Sequence, residues 1–245
     1  MQKFLDSCIK ANQEIYEYLN TSLSLDDYSY TETIGAGGDK SLKIDIICEN
    51  IFIKHLSIFG DIYSEEIGYL KTTEKLKEQY IITIDPLDGS SNFINNIPYY
   101  GTSVAIEVNK KVFASCICNL NDASLVYKLD SKVHRVDLFT LKNKIFLDET
   151  TSNIGIFERA YRRSDICSVF YDKNIKYRSL GAIALSLCMA HSCKFVMFSG
   201  KIRDFDVKAA LHICEDLHIS ISAEFLIVSK SSTMLEQIKE IINEE

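Results

Sequence analysis

Tyr80-Ile81-Ile82-Thr83-Ile84-Asp85-Pro86-Leu87-Asp88-Gly89-Ser90-Ser91-Asn92 is the stretch on which the reading of this chain turns. Residues 80–84 are short, apolar and rich in β-branched side chains, so they predict a central strand. The strand runs into Asp85-Pro86, where proline removes a backbone donor and is expected to stop the ladder. Two carboxylates three residues apart on the turn that follows can converge on one or two hard cations. Gly89 permits a left-handed turn and close backbone approach. Ser90 and Ser91 then offer hydroxyls and N–H groups that suit a phosphate. Asp-Pro or Asp-Gly alone would be an ordinary turn. Strand, acid, proline, acid, glycine and paired hydroxyls in one run point to chemistry.

Three more sites carry acids. Glu65-Glu66 follows Asp61-Ile62-Tyr63-Ser64. Adjacent carboxylates repel, so a protein that converges them needs a cation, whereas on a surface they are simply solvated. Asp45 stands at the start of a second helix, and Asp206, in Arg203-Asp204-Phe205-Asp206-Val207, opens a later one. For both, the simpler role is a charge that complements a helix dipole.

The rest of the 245 residues bounds the context, with 47% hydrophobic and 25% charged residues, a net charge of −7 and a pI near 5.3. An acidic chain without a Lys/Arg cluster argues against a nucleic-acid polymer as partner. No stretch is apolar for long enough to span a membrane. Asp6 interrupts the N-terminus where a signal peptide needs an apolar run, so a cytoplasmic protein is expected. The eight cysteines lie scattered in apolar segments and are read as reduced core thiols. Cys116-Ile117-Cys118, and Cys188 with His191 and Cys193, lack the repeated spacing of a zinc site.

Helices are predicted over residues 1–19, 44–59, 180–190 and 205–216, with a closing helix from a capping-box pattern at Thr233-Met234-Leu235-Glu236. Strands are predicted over 80–84, 101–108, 111–119, 194–198 and 224–229, and residues 21–40 read as a polar loop. The fold class is mixed α/β in two tightly packed halves, 1–145 and 146–245.

In this order the acids resemble the signature of the inositol monophosphatase and fructose-1,6-bisphosphatase superfamily: an early Asp, a Glu-Glu pair, Asp-Pro-(Ile/Leu)-Asp-Gly-(Thr/Ser)-(Thr/Ser)-Asn, and a late aromatic-Asp. Asp45, Glu65-Glu66, Asp85 to Asn92 and Phe205-Asp206 match it, as do Ile97-Pro98-Tyr99-Tyr100-Gly101 and Arg178-Ser179-Leu180-Gly181. The resemblance implies a layered αβαβα sandwich and a lithium-sensitive, Mg2+-dependent phosphatase, with Mn2+ as a substitute. Glu65, Asp85, Leu87 through its carbonyl, Asp88 and Asp206 would hold the metals. Glu65 and Ser90 would activate the water, with Asp45 restraining that hydroxyl. Gly89, Ser90 and Ser91 would bind the phosphate. The implied partner is a small phosphorylated metabolite, and the implied assembly a homodimer.

The chain departs from the family pattern in places. Phe205 replaces the usual Trp, and Ser90 replaces the threonine of inositol phosphatases. Glu215-Asp216-Leu217-His218 stands where Glu-Ala-Gly-Gly is usual, and the short C-terminal part predicts the loss of a hairpin. Ser199 takes the approximate place of a substrate-binding Glu. An inositol phosphate or another sugar phosphate, fructose 1,6-bisphosphate, and a nucleotide 3′(2′),5′-bisphosphate all stay open as substrates. A catalytically weak regulatory relative is a further alternative.

Overall fold

The computed structural model describes residues 1–72, 79–144 and 152–243. Two sheets with helices on every face build five layers. The larger sheet runs β4-β3-β5-β6-β7-β8-β9, from β3 (Asp61–Ser64), β4 (Gly68–Leu70), β5 (Ile81–Asp88), β6 (Gly101–Val108), β7 (Lys111–Asn119), β8 (Ser124–Leu129) and β9 (Lys132–Asp137). The smaller sheet runs β11-β10-β12-β14-β13, from β10 (Ile154–Glu158), β11 (Lys176–Arg178), β12 (Val196–Ser199), β13 (His218–Ile221) and β14 (Phe225–Ser229). The expected division near residue 145 falls on residues 145–151, outside the described residues.

Alternation along the strands makes the layers. Cys116 and Cys118 of β7 join Ile82, Ile84 and Val104 in a core covered by α1 (Gln2–Thr21) and α2 (Lys43–Leu56). Ile117, between the two cysteines, points the other way. There it meets α5 (Ile183–Cys188) and α6 (Asp204–Ile213), which also cover Val196 and Phe198 of β12. Phe195 and Met197 face α4 (Ser164–Asp172) and α7 (Ser232–Asn243). The order is therefore αβαβα, as the resemblance implied. Cys116, Cys118, Cys188 and Cys193 are all buried in these cores.

Several expectations need correction. Residues 21–40 are not a plain loop: β1 (Tyr30–Ile34) and β2 (Lys40–Leu42) pair antiparallel, Tyr30 opposite Leu42. The first strand is mostly exposed, so it carries no apolar alternation to reveal it. The central strand does not end at Asp85. Asp85 pairs with Ser103 and Asp88 with Gly101, three residues along β5 against two along β6. The extra residue is a bulge, and a bulge tolerates Pro86, whose missing N–H no ladder position then requires. The apolar run from Leu180 becomes helical only at Ile183, because Gly181 takes φ +92° and Ala182 is extended. The closing helix begins earlier than predicted, with the Ser231 hydroxyl accepting the Met234 N–H at 3.2 Å. Residues 218–229 form an antiparallel pair, β13 with β14, at one edge of the smaller sheet.

Candidate active site

Glu65 follows β3, and its N–H bonds the Ile84 carbonyl at 3.2 Å, which seats it beside the bulge of the neighbouring parallel strand. Asp85 lies in that bulge, and Asp206 in the first turn of α6. Carboxylate oxygens of these three residues lie within 4.8 Å of one another. Asp85 also accepts the Leu87 N–H at 3.0 Å. Asp45 does what its helix position suggested and one thing more. Its Oδ2 caps α2 by accepting the Leu42 N–H at 3.1 Å, while buried Oδ1 has no partner among the described residues. Asp88 stands beside the triad, with a carboxylate oxygen accepting the Leu185 N–H of α5 at 3.1 Å.

The acids crowd one another in a low-dielectric place. For each of these acids burial is the main cause of an upward pKa shift, and neighbouring charge adds to it. Asp85 is pushed well above the carboxylate range by burial and then by Glu65, Asp88 and Asp206. Asp45 is raised to about 8 by burial and by Glu66. Asp88 is raised to about 8 by burial, with the Leu185 N–H pulling the other way. Glu65 is raised to about 7 although Arg203 opposes the shift. Asp206 is raised by burial against the same arginine.

The motif's serines form the opposite lip. Gly89 adopts φ +87°, and a Cβ there would stand 3.0 Å from both Ala182 Cβ and the Tyr99 carbonyl oxygen, so any other residue would be strained in this turn. Ser90 and Ser91 open the short helix α3 (Ser90–Ile94), where N–H groups have no acceptor within the helix. Asn92 fixes the lip by donating to the carbonyls of Tyr99 at 2.7 Å and Leu180 at 2.8 Å. Asn92→Ala leaves both carbonyls unpaired. We expect a loss of about 2 kcal/mol in urea unfolding; a variant as stable as wild type would remove Asn92 from this role.

These groups share one cavity of ≈ 690 Å³, which Leu87 also lines. Its far wall comes from the smaller sheet and carries Glu158, Arg159, Arg162 and Phe198. Glu158 is 2% exposed and accepts the N–H of Gly181 at 2.8 Å and the Ser186 hydroxyl, which pins the segment facing Gly89. Ser199 is buried at the end of β12, paired with Phe225, and is not among the cavity-lining residues. Glu215 pairs with the buried Lys128 at 2.8 Å.

Sequence reasoning gave no role to Arg203, Glu158 or Gly37. The nearest signal was the Arg203/Asp206 spacing, which places the two side chains one helical turn apart. Glu158 lies in a strand that the sequence reading did not delimit.

A layered fold that brings three converging carboxylates, two of them buried, and a glycine–serine turn to one cavity defines a site of the phosphatase class. Residues 9–217 match the inositol monophosphatase family, and the chain belongs to that family. A protein of Methanothermobacter thermautotrophicus named fructose-1,6-bisphosphatase/inositol-1-monophosphatase is 27% identical over 227 residues, 85% of this chain and 80% of that one. The bifunctional NADP phosphatase/NAD kinase of Methanocaldococcus jannaschii is 43% identical over 75 residues, 30% of this chain and 13% of that protein. The crystal structure of an inositol monophosphatase-fructose 1,6-bisphosphatase has the same fold, with a TM-score of 0.77 at 22% identity over 96% of this chain and 98% of the other. No helix among the described residues is long and apolar enough to cross a membrane.

Proposed function

We propose that the chain is a Mg2+-dependent phosphatase acting on a small phosphate monoester, an inositol phosphate or another sugar phosphate, with Mn2+ as a substitute ion. The observation that carries this reading is the convergence of Glu65, Asp85 and Asp206 within 4.8 Å. The donor set fits a hard cation: it is all oxygen, mutually repelling and beside an unpartnered buried Asp45 Oδ1. Glu65, Asp85 and Asp206, with Asp88 and the Leu87 carbonyl next to them, would hold one or two ions. A bound divalent ion supplies neutralisation of phosphate charge and a lowered pKa for bound water.

The chain's own groups do the rest. The Ser90 and Ser91 N–H groups and hydroxyls bind phosphate oxygens, and Gly89 lets the backbone approach them. Glu65, aided by the Ser90 hydroxyl, orients the attacking water and takes its proton. Asp45 keeps one oxygen free to restrain the hydroxyl or a water. Glu158 and Asn92 hold the serine lip where in-line attack needs it.

A second reading, a phosphatase of bisphosphates, is favoured by Arg159 and Arg162 on the far wall, which suit a second anionic group. Phosphate release from inositol 1-phosphate, fructose 1,6-bisphosphate, adenosine 3′,5′-bisphosphate and NADP separates the two. We expect turnover of at least one compound with Mg2+ or Mn2+, loss with EDTA, and inhibition by millimolar Li+. Inactivity on all four would reject the reading.

A further inference from the structure

Arg203 grips two of the three converging carboxylates. Its Nε and Nη2 donate to Asp206 Oδ2 and Oδ1 at 2.8 and 3.0 Å. Its Nη1 lies 3.0 Å from Glu65 Oε1 and 3.2 Å from both Asp39 Oδ2 and the Gly37 carbonyl oxygen. The position is built for it. The guanidinium carbon sits 5.1 Å above the Phe205 ring centroid, and the side chain is 19% exposed. Gly37 leaves the necessary room, since a Cβ there would stand 2.9 Å from Nη1 and 2.8 Å from Glu65 Oε1. The loop that carries Gly37 is itself tied to the acids, with the Ala36 N–H on the Glu66 carbonyl at 3.1 Å and the Gly37 N–H on the Glu65 carbonyl at 2.8 Å.

A planar fork of fixed positive charge satisfies carboxylates in two directions at once, which a lysine does not do. The same charge beside Glu65 and Asp206 opposes entry of a second cation. We propose that Arg203 is the resident counter-charge of this site. It holds Glu65, Asp206 and the residue 35–39 loop in register and yields its contact with Glu65 when a divalent cation loads, so it weakens and thereby sets cation affinity. The inference rests on the reading of Glu65, Asp85 and Asp206 as cation ligands.

The test is Mn2+ binding to EDTA-stripped full-length protein at pH 9, where protons compete least, by calorimetry and by electron paramagnetic resonance of the free ion. Arg203→Gln is expected to bind Mn2+ on the order of ten-fold more tightly than wild type, and Arg203→Lys to fall between them. The metal-free Gln variant should melt roughly 5 °C or more below wild type, and saturating Mn2+ should restore most of that loss. Equal or weaker Mn2+ affinity in Arg203→Gln overturns the proposal. So does a melting deficit that Mn2+ leaves unchanged, which would mark a merely structural arginine. Wild-type protein that binds no Mn2+ would overturn both this proposal and the metal reading, an outcome distinct from equal affinity in the two proteins.

Discussion

Asp85→Asn is expected to lower phosphate release on the order of a thousand-fold, about 4 kcal/mol of transition-state stabilisation, while making the EDTA-treated protein more stable. The two effects have one cause. Asp85 is 3% exposed and lies among Glu65, Asp88, Asp206 and Asp45, so its charged form is strongly disfavoured without a cation. Folding at neutral pH must then bring a proton onto a group that is ionised in the unfolded chain, and that uptake costs stability. Asparagine keeps an oxygen to accept the Leu87 N–H and carries no charge to neutralise. It is also a poor ligand for a hard cation. We therefore expect a melting temperature several degrees above wild type in EDTA, about 1–3 kcal/mol, with little further rise on adding Mg2+ or Mn2+. A variant that keeps more than about a tenth of wild-type turnover would exclude Asp85 from the chemistry. Lower stability in EDTA would show that crowding of charge is not what strains this strand.

Most of this site was legible in the sequence because its parts are local. The bulge, the left-handed glycine and the serines all belong to one run, from Asp85 to Asn92. Asp45 and Asp206 were also visible, but as helix-start residues, and the structure shows that for Asp45 capping and facing the site are compatible: two oxygens serve two purposes. What stayed hidden was long-range. Glu158, at the end of β10, meets Gly181 just before α5 and Ser186 within it, and Gly37 matters only because Arg203 comes to it from 166 residues away. The β1–β2 hairpin escaped because it lies over the site with little apolar surface of its own. The bulge at Pro86 was misread as a strand end because proline forbids a ladder bond without forbidding the strand to continue past it.

The second large effect is on stability against pH. Asp45 and Asp88 are each raised to about 8, and Glu65 to about 7, whereas all three are ionised above pH 5 in the unfolded chain. A folded pKa above the unfolded one means that the native state binds more protons, so unfolding free energy falls as pH rises from the unfolded value to the folded one. The loss is complete once pH exceeds the folded pKa. Between pH 7 and pH 9 His191 and His212, lowered by burial, oppose this trend only slightly, because most of their titration lies below pH 7. The buried thiols, raised by burial, reinforce it above pH 8. For Asp45 and Asp88 together the change is on the order of 3 kcal/mol, which predicts that EDTA-treated protein melts roughly 5–10 °C lower at pH 9 than at pH 7. Saturating Mg2+ or Mn2+ should flatten the curve, since a cation replaces the proton as the group that keeps the acids together. Calorimetric melts at three pH values, with and without the ion, measure both slopes. Identical slopes would mean that the ion and the protons do not compete for the same carboxylates, and the cation site would then have to lie elsewhere.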